Sequence, residues 1–219
     1  MLKSKKTFLI SIVASLFLNN WLLGLIFNRG LLLHGGSVSE LSALTMPHGW
    51  IFRFLDVATG ILLGAASFIL YKANNQWSYW PWIYRLTFLL GLASIVDALL
   101  PLPCSSTMDA DCSAPVKFNF HEISFPHHLY SSVVIGTCFL LLPAVGYYYG
   151  RYRDSWVLKV SSLVTFALTI IFLGCLLADS LSSGALAEKL AGYSQDIQML
   201  AFGTWLCLMA WFLQRTIEK

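Results

Sequence analysis

Residues 50–71 read WIFRFLDVATGILLGAASFILY, which is an apolar stretch interrupted by one basic and one acidic side chain. At about 1.5 Å of rise per residue, a helix of this length crosses roughly 30 Å of hydrocarbon. Arg53 and Asp56 both lie in its first two turns. The stretch therefore predicts a membrane-spanning helix with a polar group near one end.

Five other apolar segments have similar length, so the chain predicts six spans in all. The predicted spans lie near residues 8–28, 50–71, 84–102, 128–149, 159–181 and 196–213. Of the 219 residues, 57% are hydrophobic and 11% are charged, and the mean hydropathy is +0.68. Such a composition excludes a soluble globule. We predict an all-α integral membrane protein whose residues 1–219 form a single six-helix domain.

The N-terminal segment has the basic start and apolar run of a secretory signal. The run continues beyond Asn19 and Asn20 to Phe27, which is longer than a signal core, and no clear small-x-small cleavage site follows. We therefore expect a retained first span. Interhelical hydrogen bonds are the expected role of the two asparagines.

The distribution of lysine and arginine between the two sides of the membrane predicts the orientation of the spans. With the N-terminus in the cytoplasm, the inner side holds ten of the 14 basic residues, and the outer side holds only Arg29, Arg53, Lys117 and Lys189. We therefore predict cytoplasmic termini in a bacterial inner membrane, with membrane lipids as partners and a membrane protein as a further candidate. The inner positive charge is explained by topology, and nucleic-acid binding is not indicated.

Two longer outer loops, residues 29–49 and 103–127, are expected to form a cap over the bundle. Cys104 and Cys112 lie in the second loop among prolines, and their spacing predicts a disulfide. A metal pair is the weaker alternative, because no CxxC or HxxxH motif accompanies them. Within the membrane, the small residues Gly60 and Gly64 predict close packing of helices inside the bundle.

Three aspartates, Asp56, Asp97 and Asp179, fall in the same outer third of the predicted bilayer. A carboxyl group in hydrocarbon is costly unless it faces protein, water or a cation, so the three suggest one site. The alternatives are structural. Arg53 and Asp56 are three residues apart on one helical face and can form an ion pair. Asp179 can bond to loop amides at its helix end.

Asp97 has candidate partners at the start of the next span. It lies one turn before Pro101, and the next span opens with His127 and His128 and continues one turn deeper to Ser131 and Ser132. Imidazole and carboxylate bind zinc, and imidazole also moves protons near neutral pH. Asp97 and His128 are thus candidate catalytic groups and, with His127, candidate metal ligands. The candidate binding residues are Asp56, Arg53, Asp179, Ser131 and His48.

The chain resembles a known family. The resemblance is carried by Val38-Ser39-Glu40-Leu41-Ser42, by Pro47-His48-Gly49-Trp50-Ile51-Phe52-Arg53-Phe54-Leu55-Asp56, by Asp97-Ala98-Leu99-Leu100-Pro101 with Cys104 and Cys112, and by His128 with Ser131 or Ser132. These segments are similar to the bacterial six-span family catalogued as domain of unknown function 998. The resemblance implies a six-helix bundle and supplies no activity.

A more distant likeness is to zinc-dependent membrane hydrolases of the alkaline ceramidase and adiponectin-receptor type. Those proteins have seven spans and a late HxxxH pair, which this sequence lacks. Three classes of function remain open. The first is a binding protein for a lipid, small ligand or partner protein, the second a metal-dependent hydrolase or transferase acting on a lipid-like substrate, and the third a small transporter.

Overall fold

A computed structural model describes residues 2–73, 77–112, 127–181 and 185–217, and every regular element in these ranges is helical. The six long helices and the two short ones are α1 Leu2–Leu18, α2 Gly24–Phe27, α3 Arg29–Leu33, α4 Gly49–Ala73, α5 Trp80–Leu99, α6 His127–Tyr152, α7 Trp156–Leu181 and α8 Ala185–Ile217. Two 3-10 helices, Asn20–Leu23 and Val38–Ser42, lie between α1 and α4.

The predicted fold class is confirmed. Five helices are long and apolar enough to cross a membrane, and they are α4, α5, α6, α7 and α8. A sixth span results if Phe8–Leu18 and Asn20–Phe27 cross together. The chain is thus a multi-pass membrane protein. The last helix is much longer than the predicted segment of residues 196–213, because Ala185–Leu190 continue it with good helix formers.

The first span differs from a single straight helix, because it bends by 46° between Leu18 and Asn20. Asparagine side chains compete for backbone and neighbouring groups and so weaken a helix interior. Here the Asn19 amide nitrogen donates to Ser15 O, while its oxygen accepts from Trp21 Nε1 at 3.2 Å. The chain continues past the bend as a 3-10 turn.

The long helices form a closed ring. Each one packs against the next along the chain, from α4 to α8, and α1 closes the ring by packing against both α4 and α8. Helices α4 and α5 approach each other closely, since a Cβ atom built on Gly60 would lie 2.4 Å from the carbonyl oxygen of Gly91. The expected close packing is therefore present at Gly60, whereas a Cβ atom built on Gly64 would have no atom within 4 Å.

Burial in the bundle is typical of a protein that is surrounded by lipid. Helix α7 turns small polar side chains inward, namely Ser162, Thr165 and Thr169, and exposes large apolar ones such as Leu163, Ile170 and Leu177. The inward hydroxyls serve helix contacts, since Trp205 Nε1 of α8 donates to Ser162 Oγ at 2.8 Å. Such small and polar interfaces are how helices associate in hydrocarbon.

Two loops meet at one end of the bundle, which we call the loop end, formed by residues 28–48 and 100–112. Leu44 N donates to Leu102 O at 3.0 Å, so the loops are joined through their backbones. The predicted disulfide between Cys104 and Cys112 is confirmed, with a Cα–Cα distance of 5.8 Å. The remaining cysteines, Cys138, Cys175 and Cys207, are free.

Candidate functional site

Asp97 lies in the last turn of α5 and receives polar groups from the first turns of α6. Ser131 Oγ donates to Asp97 Oδ1 at 2.6 Å, and Ser132 Oγ lies 3.4 Å from the same oxygen. His128 Nδ1 lies 3.2 Å from it. The structure therefore brings together the carboxylate, imidazole and hydroxyls that the sequence places on either side of the second loop.

The His128 ring is buried, with 8% of its side chain exposed. Nδ1 is not aligned for a good hydrogen bond, but it faces Asp97 Oδ1. Two lone pairs at 3.2 Å would repel, so Nδ1 carries a proton that is directed toward Asp97. Nε2 is buried and has no hydrogen-bond partner in the described part of the chain.

The hydroxyl of Ser131 lies between two acceptors. It is 2.6 Å from Asp97 Oδ1 and 2.8 Å from its own helix carbonyl, His128 O. A hydroxyl has one proton, and a bond to a carboxylate is the stronger of the two. Ser131 therefore supports Asp97 and is not aligned as a nucleophile on His128.

Asp56 on α4 belongs to the same polar group. Asn20, at the bend of the first span, donates from Nδ2 to Asp56 Oδ1 at 2.7 Å. Asp56 also interacts electrostatically with Asp97. Three separate helical segments thus contribute to one site, and the interhelical bond expected of Asn20 is present.

Arg53 does not pair with Asp56, so the alternative of an ion pair between these two residues is wrong. Its guanidinium Nη1 donates instead to Ser42 O at 3.0 Å, and no ion pair joins the two side chains, both of which the structure describes. Ser42 ends the 3-10 helix Val38–Ser42, and the carbonyls at a helix end lack internal donors and carry partial negative charge. Arg53 therefore anchors the first loop.

Two other predicted site residues lie apart from Asp97. His48 is exposed, adopts a positive φ of 61°, and packs its ring against Phe27 at a centroid distance of 5.3 Å. Asp179 near the end of α7 is half-buried, and its Oδ1 has no hydrogen-bond partner within the described ranges. The expected loop amides, in residues 182–184, lie outside the described residues, and no side chain of the group around Asp97 donates to that oxygen.

The described residues give limited support for a metal centre. Across the described residues, no three His, Cys, Asp or Glu side chains are arranged to hold a metal ion. Asp97 and His128 supply two candidate zinc ligands. The side chain of His127, the third one predicted, and all of His121 lie outside the part that the structure describes.

Glu40 is a polar residue whose role the sequence reading missed. Glu40 is buried, with 3% of its surface exposed, and its carboxylate accepts five hydrogen bonds. Ser105 Oγ and Thr107 N donate to Oε2 at 2.5 and 3.0 Å, and Thr107 Oγ1, Ser37 N and Ser37 Oγ donate to Oε1 at 3.1, 3.1 and 3.3 Å. Glu40 thus holds the disulfide loop to the first loop. The available signal was the S-x-x-E spacing of Ser37 and Glu40, which is typical of a helix start.

Asp109 makes a second, exposed link between the loops. It accepts from Thr45 Oγ1 at 2.5 Å and from Ser105 N at 2.9 Å. The hydroxyl and amide donors both favour the charged carboxylate, and they hold the pKa of Asp109 below its ordinary value of 3.8. The cap that the two loops form is therefore built largely from hydrogen bonds to carboxylates.

The fold and the site define a class, namely multi-pass membrane proteins with a polar group buried between helix ends. Within that class the comparison with known families is specific. Residues 10–212 match the family described as protein of unknown function DUF998, and the chain belongs to that family. No curated protein and no solved structure matches the chain. The family assignment confirms the predicted resemblance and carries no activity.

Proposed function

We propose that this protein is a non-catalytic membrane binding protein that holds a small ligand or a lipid headgroup between Asp56, Asp97 and His128. The observation that carries the proposal is the unsatisfied Nε2 of the buried His128 ring. A buried polar atom without a partner costs about 1 to 3 kcal/mol, so a ligand that satisfies it gains affinity.

Binding is favoured over catalysis by the arrangement of the hydroxyl. In a nucleophilic site the serine would donate to the imidazole, which would take its proton. Here Ser131 Oγ donates to Asp97. His128 Nδ1 lies 3.2 Å from Asp97 Oδ1 without a well-aligned hydrogen bond, and Nε2 is the ring nitrogen that we assign to the ligand.

The position of the site supports a ligand that comes from the membrane or from the loop side. Asp97 and Asp56 lie near the helix ends at the loop end, and large apolar side chains such as Phe54 and Leu99 are exposed beside them. With the predicted orientation, this is the outer leaflet of a bacterial inner membrane, and both termini are cytoplasmic. Lipids are therefore the first partners to test.

The test compares what co-purifies with wild-type protein and with site variants. His128→Asn is the sharpest change, because the short amide reaches about as far as Nδ1 and can keep the contact to Asp97 while removing Nε2. We expect mass spectrometry of extracts to show a compound that is retained by wild type and lost from His128→Asn and Asp97→Asn. Asp196→Asn on α8 is the matched control. Identical extracts from all four folded proteins would contradict the proposal.

A further inference from the structure

We propose that an anionic phospholipid binds at the end of the bundle opposite the loop end. Its phosphate lies among a group of side chains that we call the basic-aromatic patch, namely Trp77, Tyr79, Tyr148, Arg151 and Tyr152. The patch is separate from the candidate site at the loop end, and the proposal goes beyond the proposed function.

The patch forms where α5 begins and α6 ends. These two helices meet at the loop end through the last turn of α5 and the first turns of α6, so their other ends lie together at the opposite end. There the ring of Tyr79 stacks on Tyr148, with centroids 6.0 Å apart and planes 20° apart. Trp77 stacks on Tyr152 in the same way, at 6.0 Å and 28°. The two stacked pairs hold the rings in place relative to each other.

The exposed side chains of the patch are hydrogen-bond donors. Arg151 and Tyr152 follow Tyr148 by three and four residues, so they lie one turn away on the same face of α6. These three side chains and Tyr79 are exposed. A guanidinium group offers paired N–H donors that match phosphate oxygens, and a phenol hydroxyl adds a further donor. The patch therefore fits a phosphate group.

Charge at this end of the bundle favours an anion. Asp154 follows the end of α6, and it pairs with Lys159 at 3.2 Å. Arg151 forms no ion pair with a described residue. The same holds for four other exposed basic side chains at this end, which are Lys72, Arg85, Arg153 and Arg215. The excess of positive charge attracts an anionic headgroup and disfavours one that carries an ammonium.

Apolar surface below the patch favours a lipid over a soluble phosphate compound. Leu141 precedes Tyr148 by seven residues, which is two turns on the same face of α6, and it is 43% exposed. Val133 lies about two turns further along that face and is 56% exposed. An acyl chain attached to a phosphate in the patch has this apolar face beside it.

The experiment uses the full-length protein, delipidated in detergent, and measures lipid binding by native mass spectrometry and by the rise in Tm. Phosphatidylglycerol carries a phosphate without an ammonium, phosphatidylcholine carries both, and glycerophosphoglycerol is the anionic headgroup without acyl chains. We expect saturable binding of phosphatidylglycerol, which Arg151→Gln should weaken roughly tenfold. Combined Tyr79→Phe and Tyr148→Phe keep both rings and should weaken it by about threefold or more.

Arg153→Gln is the matched control, because it removes the same charge just beyond the end of α6 and should change the affinity less than about twofold. Equal weakening by Arg151→Gln and Arg153→Gln overturns the site, since net charge alone then attracts the lipid. Equal binding of phosphatidylcholine overturns the charge argument. A response to glycerophosphoglycerol as large as that to the lipid overturns the lipid as occupant. Absence of saturable phosphatidylglycerol binding overturns the whole proposal.

The tyrosine variants keep the comparison decisive if Arg151→Gln does not fold, because they retain every ring of the patch. Unchanged phosphatidylglycerol binding in the folded tyrosine double variant then overturns the assigned donors. No variant in this experiment changes the loop-end site, so its result is independent of the test of the proposed function.

Discussion

Asn20 Nδ2 donates a 2.7 Å hydrogen bond to Asp56 Oδ1 across the interface between the bent first span and α4. The hydrogen bond depends on the bend, because the turn at Asn19 and Asn20 directs the Asn20 amide toward α4. A side-chain bond of this kind within the membrane connects the geometry of the first span to the site around Asp97.

Replacing Asn20 should destabilise the bundle. Asn20→Ala leaves Asp56 Oδ1 without its donor, and we expect a loss of about 1 to 2 kcal/mol in the free energy of unfolding. Unfolding in mixed detergent micelles measures the loss. In an Asp56→Leu background the same substitution should cost much less, because the bond is already absent. An equal cost in both backgrounds would show that Asn20 acts through helix propensity alone.

The two glycines of α4 should respond differently to an added methyl group. A Cβ on Gly60 would meet Gly91 O at 2.4 Å, while nothing lies within 4 Å of one on Gly64. Gly60→Ala should therefore cost about 1 to 3 kcal/mol in the free energy of unfolding. Gly64→Ala is the matched control and should be neutral or slightly stabilising, because alanine is the better helix former. Equal effects would contradict the close contact of α4 with α5.

Glu40 should be necessary for an ordered cap. Glu40→Ala leaves its five donors without their acceptor, and we expect a loss of roughly 3 kcal/mol or more in the free energy of unfolding. Backbone hydrogen exchange in residues 104–112 should accelerate at the same time. Asp111→Ala in the same loop is the control, since Asp111 is exposed. Unchanged exchange in Glu40→Ala would refute this role.

Acid should loosen the cap through Asp109. The pKa of Asp109 is lowered in the folded protein, so its charged form stabilises the fold. This contribution to the free energy of unfolding is complete above the pKa of the unfolded state and is lost as the pH falls through the lower pKa of the folded state. We expect hydrogen exchange near Ser105 to rise below about pH 4. Asp109→Asn should flatten that acid response. Because Asp109 is only partly buried, the effect should be small and sensitive to salt.

The orientation is open to a direct labelling test. Leu44 at the loop end is 63% exposed, and Tyr79 at the opposite end is 49% exposed. In intact cells, a membrane-impermeant maleimide should label Leu44→Cys and should label Tyr79→Cys only after lysis. Alanine replacements of the three free cysteines provide the background. The reverse pattern would place both termini outside.

The site was partly predictable because Asp97 and His128 flank the same loop. Asp97 ends one span and His128 opens the next, so the topology brings them to the same level of the membrane. The partner of Arg53 was not predictable in this way. Helical spacing favours Asp56, but the carbonyl of Ser42 reaches Arg53 only after the first loop folds back over α4. Glu40 was missed for the same reason, since its donors Ser105 and Thr107 lie 65 and 67 residues away.

The amino-acid sequence by itself determined the membrane environment, the all-helical fold class, the disulfide and the family, because span length, apolar composition and cysteine spacing are properties of the chain that need no partner. The tertiary structure alone decided which polar atoms are satisfied. Hydrogen bonds are short and directional, so the free Nε2 of His128 and the five donors around Glu40 become visible only when distant segments are placed within about 3 Å of one another.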